Sequence, residues 1–205
     1  MSETKEQVYQ LSDGLEKAYY SVIASDGSYG AVKELGDLIE MSIQPSESNV
    51  ALWAGNREIT NVNGTRKANL TLTLPAISKD VKCDIYNYVK TAEGGMTRGK
   101  KKSNPYIAIM IEQTTFNSET GEEAMDYITL LKGKMEGNEI KGKTKDKDNR
   151  EIQTSSISGE FICPKGLDDY IYIVSSDDEN FNAETWATKW GKTVPVPEIP
   201  QENIP

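Results

Sequence analysis

The sequence predicts a mainly β chain (α+β by content): an antiparallel β-sandwich or partly closed barrel with one main helix, a long loop and a short C-terminal helix. Three observations predict it. Apolar residues alternate with polar ones in several segments, most cleanly over Thr65 to Pro75, where Ala68, Leu70, Leu72 and Leu74 oppose Lys67, Asn69, Thr71 and Thr73. Seven or eight β-rich runs are separated by turn signals, without the helix after each strand that a parallel sheet requires. Helical spacing occurs in only two places, and 205 residues suit a single β domain with appendages.

In chain order, residues 1–13 are expected to be a flexible N-terminal arm. A first strand covers Ala18 to Ile23, between Gly14 and an Asp26-Gly27 turn. From Lys33 to Gln44 the period is again close to two, with Leu38, Glu40, Ser42 and Gln44 alternating with Ile39, Met41 and Ile43. Pro45 ends that pairing, and 45–64 is expected to be a long loop with a task, since compact connections are shorter. Ser78 caps a helix over 78–91, with Val81, Ile85, Tyr88 and Val89 at three-to-four spacing until Gly94-Gly95.

The apolar run Tyr106 to Ile111 predicts a strand buried on both faces, and Thr114 to Glu123 a turn. Tyr127 to Leu131, Ile152 to Cys163 and Tyr170 to Val174 are the remaining strands. Asn182 to Trp190 is a short helix that places Trp186 and Trp190 on one face. The single domain thus spans 14–192, and 193–205, which holds four prolines, is a disordered or extended tail.

Composition removes many function classes. Net charge is -9, which disfavours tight binding of nucleic-acid phosphates. The chain contains no histidine, so a Ser-His-Asp triad, a Cys-His pair and most zinc hydrolase sites are absent. Cys83 and Cys163 are too few and too far apart in sequence for a disulfide framework or a zinc site. The N-terminus lacks the basic-then-apolar layout of a secretory signal, and no apolar run approaches the ~18 residues of a membrane span. A chain made in the cytosol, with no membrane contact, is the expectation.

The sharpest motif is Gly137-Asn138-Glu139-Ile140-Lys141-Gly142-Lys143-Thr144, a full match to the phosphate-loop pattern. Such a loop works only where a helix starts at its lysine and aims its amides at the phosphates. The sequel Lys145 to Arg150 has no apolar face to dock a helix, so a solvated hairpin turn is the expected reading. Asp146, Asp148, Asn149 and Glu151 hint at a calcium loop, yet Glu151 stands where glycine is needed and Ile157 where the bidentate acid is needed. Arg98, Lys100, Lys101 and Lys102 form a basic loop without interleaved aromatics, which reads as solvated. Asp177-Asp178-Glu179 reads as a turn entering a helix. No catalytic, metal or cofactor residues are assigned.

An ordered series of segments resembles the phi13-type major tail protein family of long-tailed phages of Gram-positive bacteria. It comprises Gly14 to Tyr20, then Tyr29-Gly30 with Lys33 and Leu35, then Ile43, Pro45 and Leu52-Trp53-Ala54. Pro105 to Ala108, Leu131 to Lys134, Gln153-Thr154, Ile157 to Phe161 and Trp186 follow in the same order. The resemblance implies a non-enzymatic virion subunit, assembled in the host cytoplasm, that forms hexameric rings stacked into the tail tube. Its partners would be copies of itself, other tail proteins, and passing DNA that it does not hold. On that reading Glu40, Ser42 and Gln44 face a non-adhesive lumen. Leu52, Trp53, Arg57 and Ile59 become the candidate assembly contacts, because Trp and Arg are favoured interface anchors; the alternative is that Trp53 packs on its own core.

Two other readings compete. A β-sandwich binding module for carbohydrate or a cell surface would hold Tyr86, Trp53 and Trp186 in a groove. A nucleotide hydrolase would use Lys143 and Thr144.

Overall fold

The computed structural model describes residues 10–54, 57–99, 103–118, 120–137 and 153–197. The elements are β1 (Gln10–Ile23), β2 (Tyr29–Asp37), β3 (Glu40–Ala54), β4 (Arg57–Leu74), α1 (Lys79–Tyr86), β5 (Val89–Lys90), β6 (Met96–Thr97), β7 (Ile107–Asn117), β8 (Glu123–Met135), β9 (Ser155–Ile162), β10 (Ile171–Ser175) and α2 (Ala183–Lys189). Eight strands form one sheet in the order β2-β1-β7-β8-β9-β4-β3, with β10 also on β8, and each pairing is antiparallel. The mainly β, antiparallel class read from the alternating segments is therefore the observed one.

The sheet divides at β8. One edge of β8 pairs with β7 from Glu123 to Gly133, while the other edge is shared. Asp126 to Leu130 pair with β10, and Gly133 to Met135 pair with β9. Two strands cannot occupy the same stretch of edge, so β9, β4 and β3 turn away from β10. The curl is closed by the link between β2 and β3: Leu38 N–H donates to Glu16 O (3.0 Å) in β1, and Ile39 N–H donates to Thr73 O (2.8 Å) in β4. Strands β1 and β4 lie four steps apart along the sheet, about 19 Å if it were flat. Adjacent residues bonding both of them require a sheet folded on itself, a partly closed barrel.

The interior fills from every strand of that curl. Tyr20 and Leu35, Leu70, Leu72 and Leu74, Ile107, Ile109 and Ile111, Leu130, Ile157 and Phe161 are buried in one cluster. Helix α1 closes it with Val81, Ile85 and Tyr86. Its start follows the sequence, since Ser78 Oγ accepts from Val81 N–H (3.2 Å). Its end does not. Asn87 takes a left-handed φ of 56° and stops the helix at Tyr86, so residues 87–91 are not helical. Val89 and Lys90 instead pair with Thr97 and Met96, and Gly94 (φ 78°) belongs to that small hairpin.

Other boundaries move for the same reason: tertiary partners extend strands beyond their apolar alternation. The expected loop at 45–64 is β3 running to Ala54 and β4 starting at Arg57. Pro45 does not end pairing but sits opposite Ala68, because β3 is an edge strand and a missing N–H on the free side costs no ladder bond. The expected arm at 1–13 is already strand from Gln10, opposite Asn117 of β7, and 1–9 lie outside the described residues. β7 continues to Asn117 through part of the expected turn at 114–123. Leu38 is buried and Ile39 is 53% exposed, the reverse of the alternation, because both lie in the bend before β3.

Two residues give direct tests of the packing. A Cβ at Gly133 would come within 2.4 Å of Phe161 Cδ1 and 2.7 Å of Glu160 O, where β8 meets β9. Gly133→Ala is expected to cost about 2 kcal/mol, read as a lower urea midpoint at unchanged slope. Tyr86 is 1% exposed and its hydroxyl has no hydrogen-bond partner among the described residues. Burial pushes its phenol up to about 12. The fold thus holds that proton more tightly than the unfolded chain, so its contribution is complete below pH ~10 and declines as pH rises above that value. Tyr86→Phe is expected to unfold no more easily than the parent at pH 7, and to lose less stability between pH 9 and 11 in denaturation curves.

Candidate assembly surface

The outer side of β3, β4 and β9 is an open polar face. Residues directly opposite in an antiparallel pair share a face, so the register builds three rows across the strands. They are Glu40, Thr73 and Ser156; Ser42, Thr71 and Ser158; and Gln44, Asn69 and Glu160. The lumen candidates Glu40, Ser42 and Gln44 are therefore together, exposed, and at the free edge of this face. Hydroxyls and amides dominate the rows. Lys67, on the same face, is paired with Glu160 (3.0 Å), and Ser158 Oγ donates to Glu136 Oε2 (3.0 Å). Met41 and Ile43, on the opposite side of β3, pack against the core.

Beyond this face the two strands continue alone. β9 accompanies β4 only from Lys67 to Leu74, whereas β3 and β4 stay paired out to Ala54 and Arg57. From Glu47 to Ala54 the ribbon runs for about 25 Å with no third strand among the described residues. The four contact candidates sit at its far end: Leu52 opposite Thr60, Trp53 opposite Glu58, Arg57 opposite Ala54, and Ile59 between Glu58 and Thr60. Their side chains lie outside the described detail, but the backbone brings all four to one ribbon tip. A signal for this was present in the sequence: a Gly-Asn pair at 55–56, a turn-forming dipeptide, stands between Ala51 to Ala54 and a segment holding the β-branched Ile59, Thr60 and Val62.

The outer side of β1 and β7 is roofed instead. Asn182 Oδ1 accepts from Thr185 N–H (2.9 Å) and caps α2, and residues 190–197 then cross the sheet. Val194 packs with Ala108 and Met110, and Tyr19, Tyr29, Val32 and Trp190 close around them. β7 is consequently buried on both faces, as its continuous apolar run requires. Trp186 and Trp190 stack at 5.8 Å, Tyr127 lies 4.8 Å from Trp190 and 6.1 Å from Phe181, and Trp190 Nε1 donates to Glu112 Oε1 (2.6 Å). The start of the expected free tail is thus docked, with Val194 and Pro195 buried; 198–205 lie outside the described residues.

Asn138 to Thr144 and the acidic positions at 146–151 lie outside the described residues. Their flanks are antiparallel neighbours, Met135 opposite Gly159, unlike the parallel strand-and-helix setting of a phosphate loop. Tyr86 is in the core and cannot line a groove for carbohydrate. Asp177 to Glu179 form a turn before α2, in which Asp178 Oδ1 accepts from Asn180 N–H (2.8 Å). Cys83 and Cys163 are free thiols, and no group of three or more metal-ligating side chains occurs among the described residues. No described helix is long and apolar enough to cross a membrane.

The roof can be tested at the bond that ties it to the carboxylate of Glu112. Trp190→Phe keeps a ring in the aromatic cluster but removes the donor to Glu112, with an expected loss of about 2 kcal/mol in chemical denaturation. Comparison with protein-family models and with curated proteins finds no match for this chain.

Proposed function

We propose that the chain is a non-enzymatic structural subunit of a phage tail tube, forming hexameric rings that stack into a conduit for DNA. The observation that carries this reading is the β3–β4 ribbon. A two-stranded ribbon in water is marginally stable by itself, and here it projects from a sheet whose outermost strands, β2 and β3, each have an edge unpaired among the described residues. Copies related by ring symmetry can cover such edges, and a ribbon about 25 Å long reaches a neighbouring subunit. Leu52, Trp53, Arg57 and Ile59 at its tip are then the inter-subunit anchors.

The open polar face supports the lumen assignment of Glu40, Ser42 and Gln44. Of its described cations, Lys67 is paired with Glu160, and Lys134, opposite Glu160 on β8, stands over the Tyr106 ring, so each is engaged within the chain. The stretches 112–131 and 166–188 contain no lysine or arginine at all, consistent with a surface that lets a polyanion pass.

Negative-stain electron microscopy with analytical sedimentation tests the reading. The full chain at high concentration and neutral pH is expected to give rings or tubes. Deleting 49–63, which removes the ribbon tip, is expected to abolish them while leaving the melting curve of the body in place. A chain that stays monomeric at every concentration, with or without the deletion, refutes the assignment.

A further inference from the structure

The roof over β1 and β7 leaves a cleft of about 460 Å3, walled by Tyr172 and Trp186, with Lys189 and Thr193 at its rim and Val194 to Val196 along one side. Volumes of this size suit a few side chains of a bound peptide. The chain itself shows what fits this surface. Val194-Pro195 is buried against the sheet, an aliphatic-proline pair already seated beside the cleft. The sequence then repeats that pair three times, as Val196-Pro197, Ile199-Pro200 and Ile204-Pro205.

We propose that the cleft receives Ile199-Pro200 from the C-terminal segment, residues 198–205, of a second copy of this chain; this rests on the self-assembly reading above. Aromatic-walled clefts bind proline-rich segments because these are extended before binding and lose little entropy. The segment carries Glu198 and Glu202 and no lysine or arginine, which complements exposed Lys189.

The occupant comes from another copy for a steric reason. Val194 to Val196 already form a wall of the cleft, so the residues that follow must reverse at once to enter it. Pro197 and Pro200 hold φ near -65°, and residues preceding proline are biased to extended backbone, which opposes such a reversal. Run out in that manner, eight residues span about 25 Å, enough to reach a neighbour.

A fluorescein-labelled synthetic peptide of residues 197–205 tests this against full-length protein carrying Ile199→Asp and Ile204→Asp, whose own segment cannot compete. Saturable binding is expected, weakened at least tenfold by Lys189→Glu in the protein or by Ile199→Asp in the peptide. No binding, or equal binding of the Ile199→Asp peptide, overturns the proposal. Unsubstituted protein that sediments as a monomer yet excludes the peptide overturns the claim of a second copy, because its own segment then fills the cleft. Tubes that form equally well in the doubly substituted protein, without peptide binding, sink this inference and leave the tube reading intact. Peptide binding by a chain that forms no ring or tube does the reverse.

Discussion

The architecture depends on one constraint: β8 has a single free edge beyond β7 and two strands that use it. β10 takes Asp126 to Leu130 and β9 takes Gly133 to Met135, so the sheet has to separate into two directions at that strand. Gly133 sits at the division, where the ring of Phe161 lies over a position that a side chain would fill. From this division come a curled sheet, one enclosed core, and two outer faces with different fates.

The two faces explain the distribution of polarity. On the β1–β7 side, Ala108 and Met110 need a cover, and the C-terminal segment provides it with Val194 and Trp190. On the β3–β4–β9 side, hydroxyl and amide residues stand in rows and need none. Among the described residues the sheet thus has one roofed face, one open polar face, unpaired edges on β2, β3 and β10, and a projecting ribbon.

Strand edges set the limits of what local pattern could show. Thr65 to Leu74 was legible because its apolar side faces the core at every second residue. The ribbon half of the same strand, from Arg57, lies beyond the stretch that β9 accompanies and its alternation is weak, so the Gly-Asn pair at 55–56 in the sequence was the better signal. Helix α1 began where Ser78 could cap it, but its end was set by Asn87 and not by the Gly94-Gly95 pair. The candidates Glu40, Ser42 and Gln44 were legible as one face of a strand, whereas their alignment with Thr71, Asn69, Ser158 and Glu160 required the register.

The sequence by itself determined the mainly β class, the doubly buried strand at Ile107 to Ile111, the N-cap of α1 at Ser78 and the exclusion of histidine-dependent chemistry. These follow from side-chain period, capping chemistry and residue type, which are local properties. Only the tertiary structure decided that β8 is shared, that 45–54 and 57–64 are paired strand, and that Val194 and Pro195 are docked. Those outcomes depend on which distant segments pair and bury one another, and hydrogen bonding between strand edges leaves little trace in the composition of either strand.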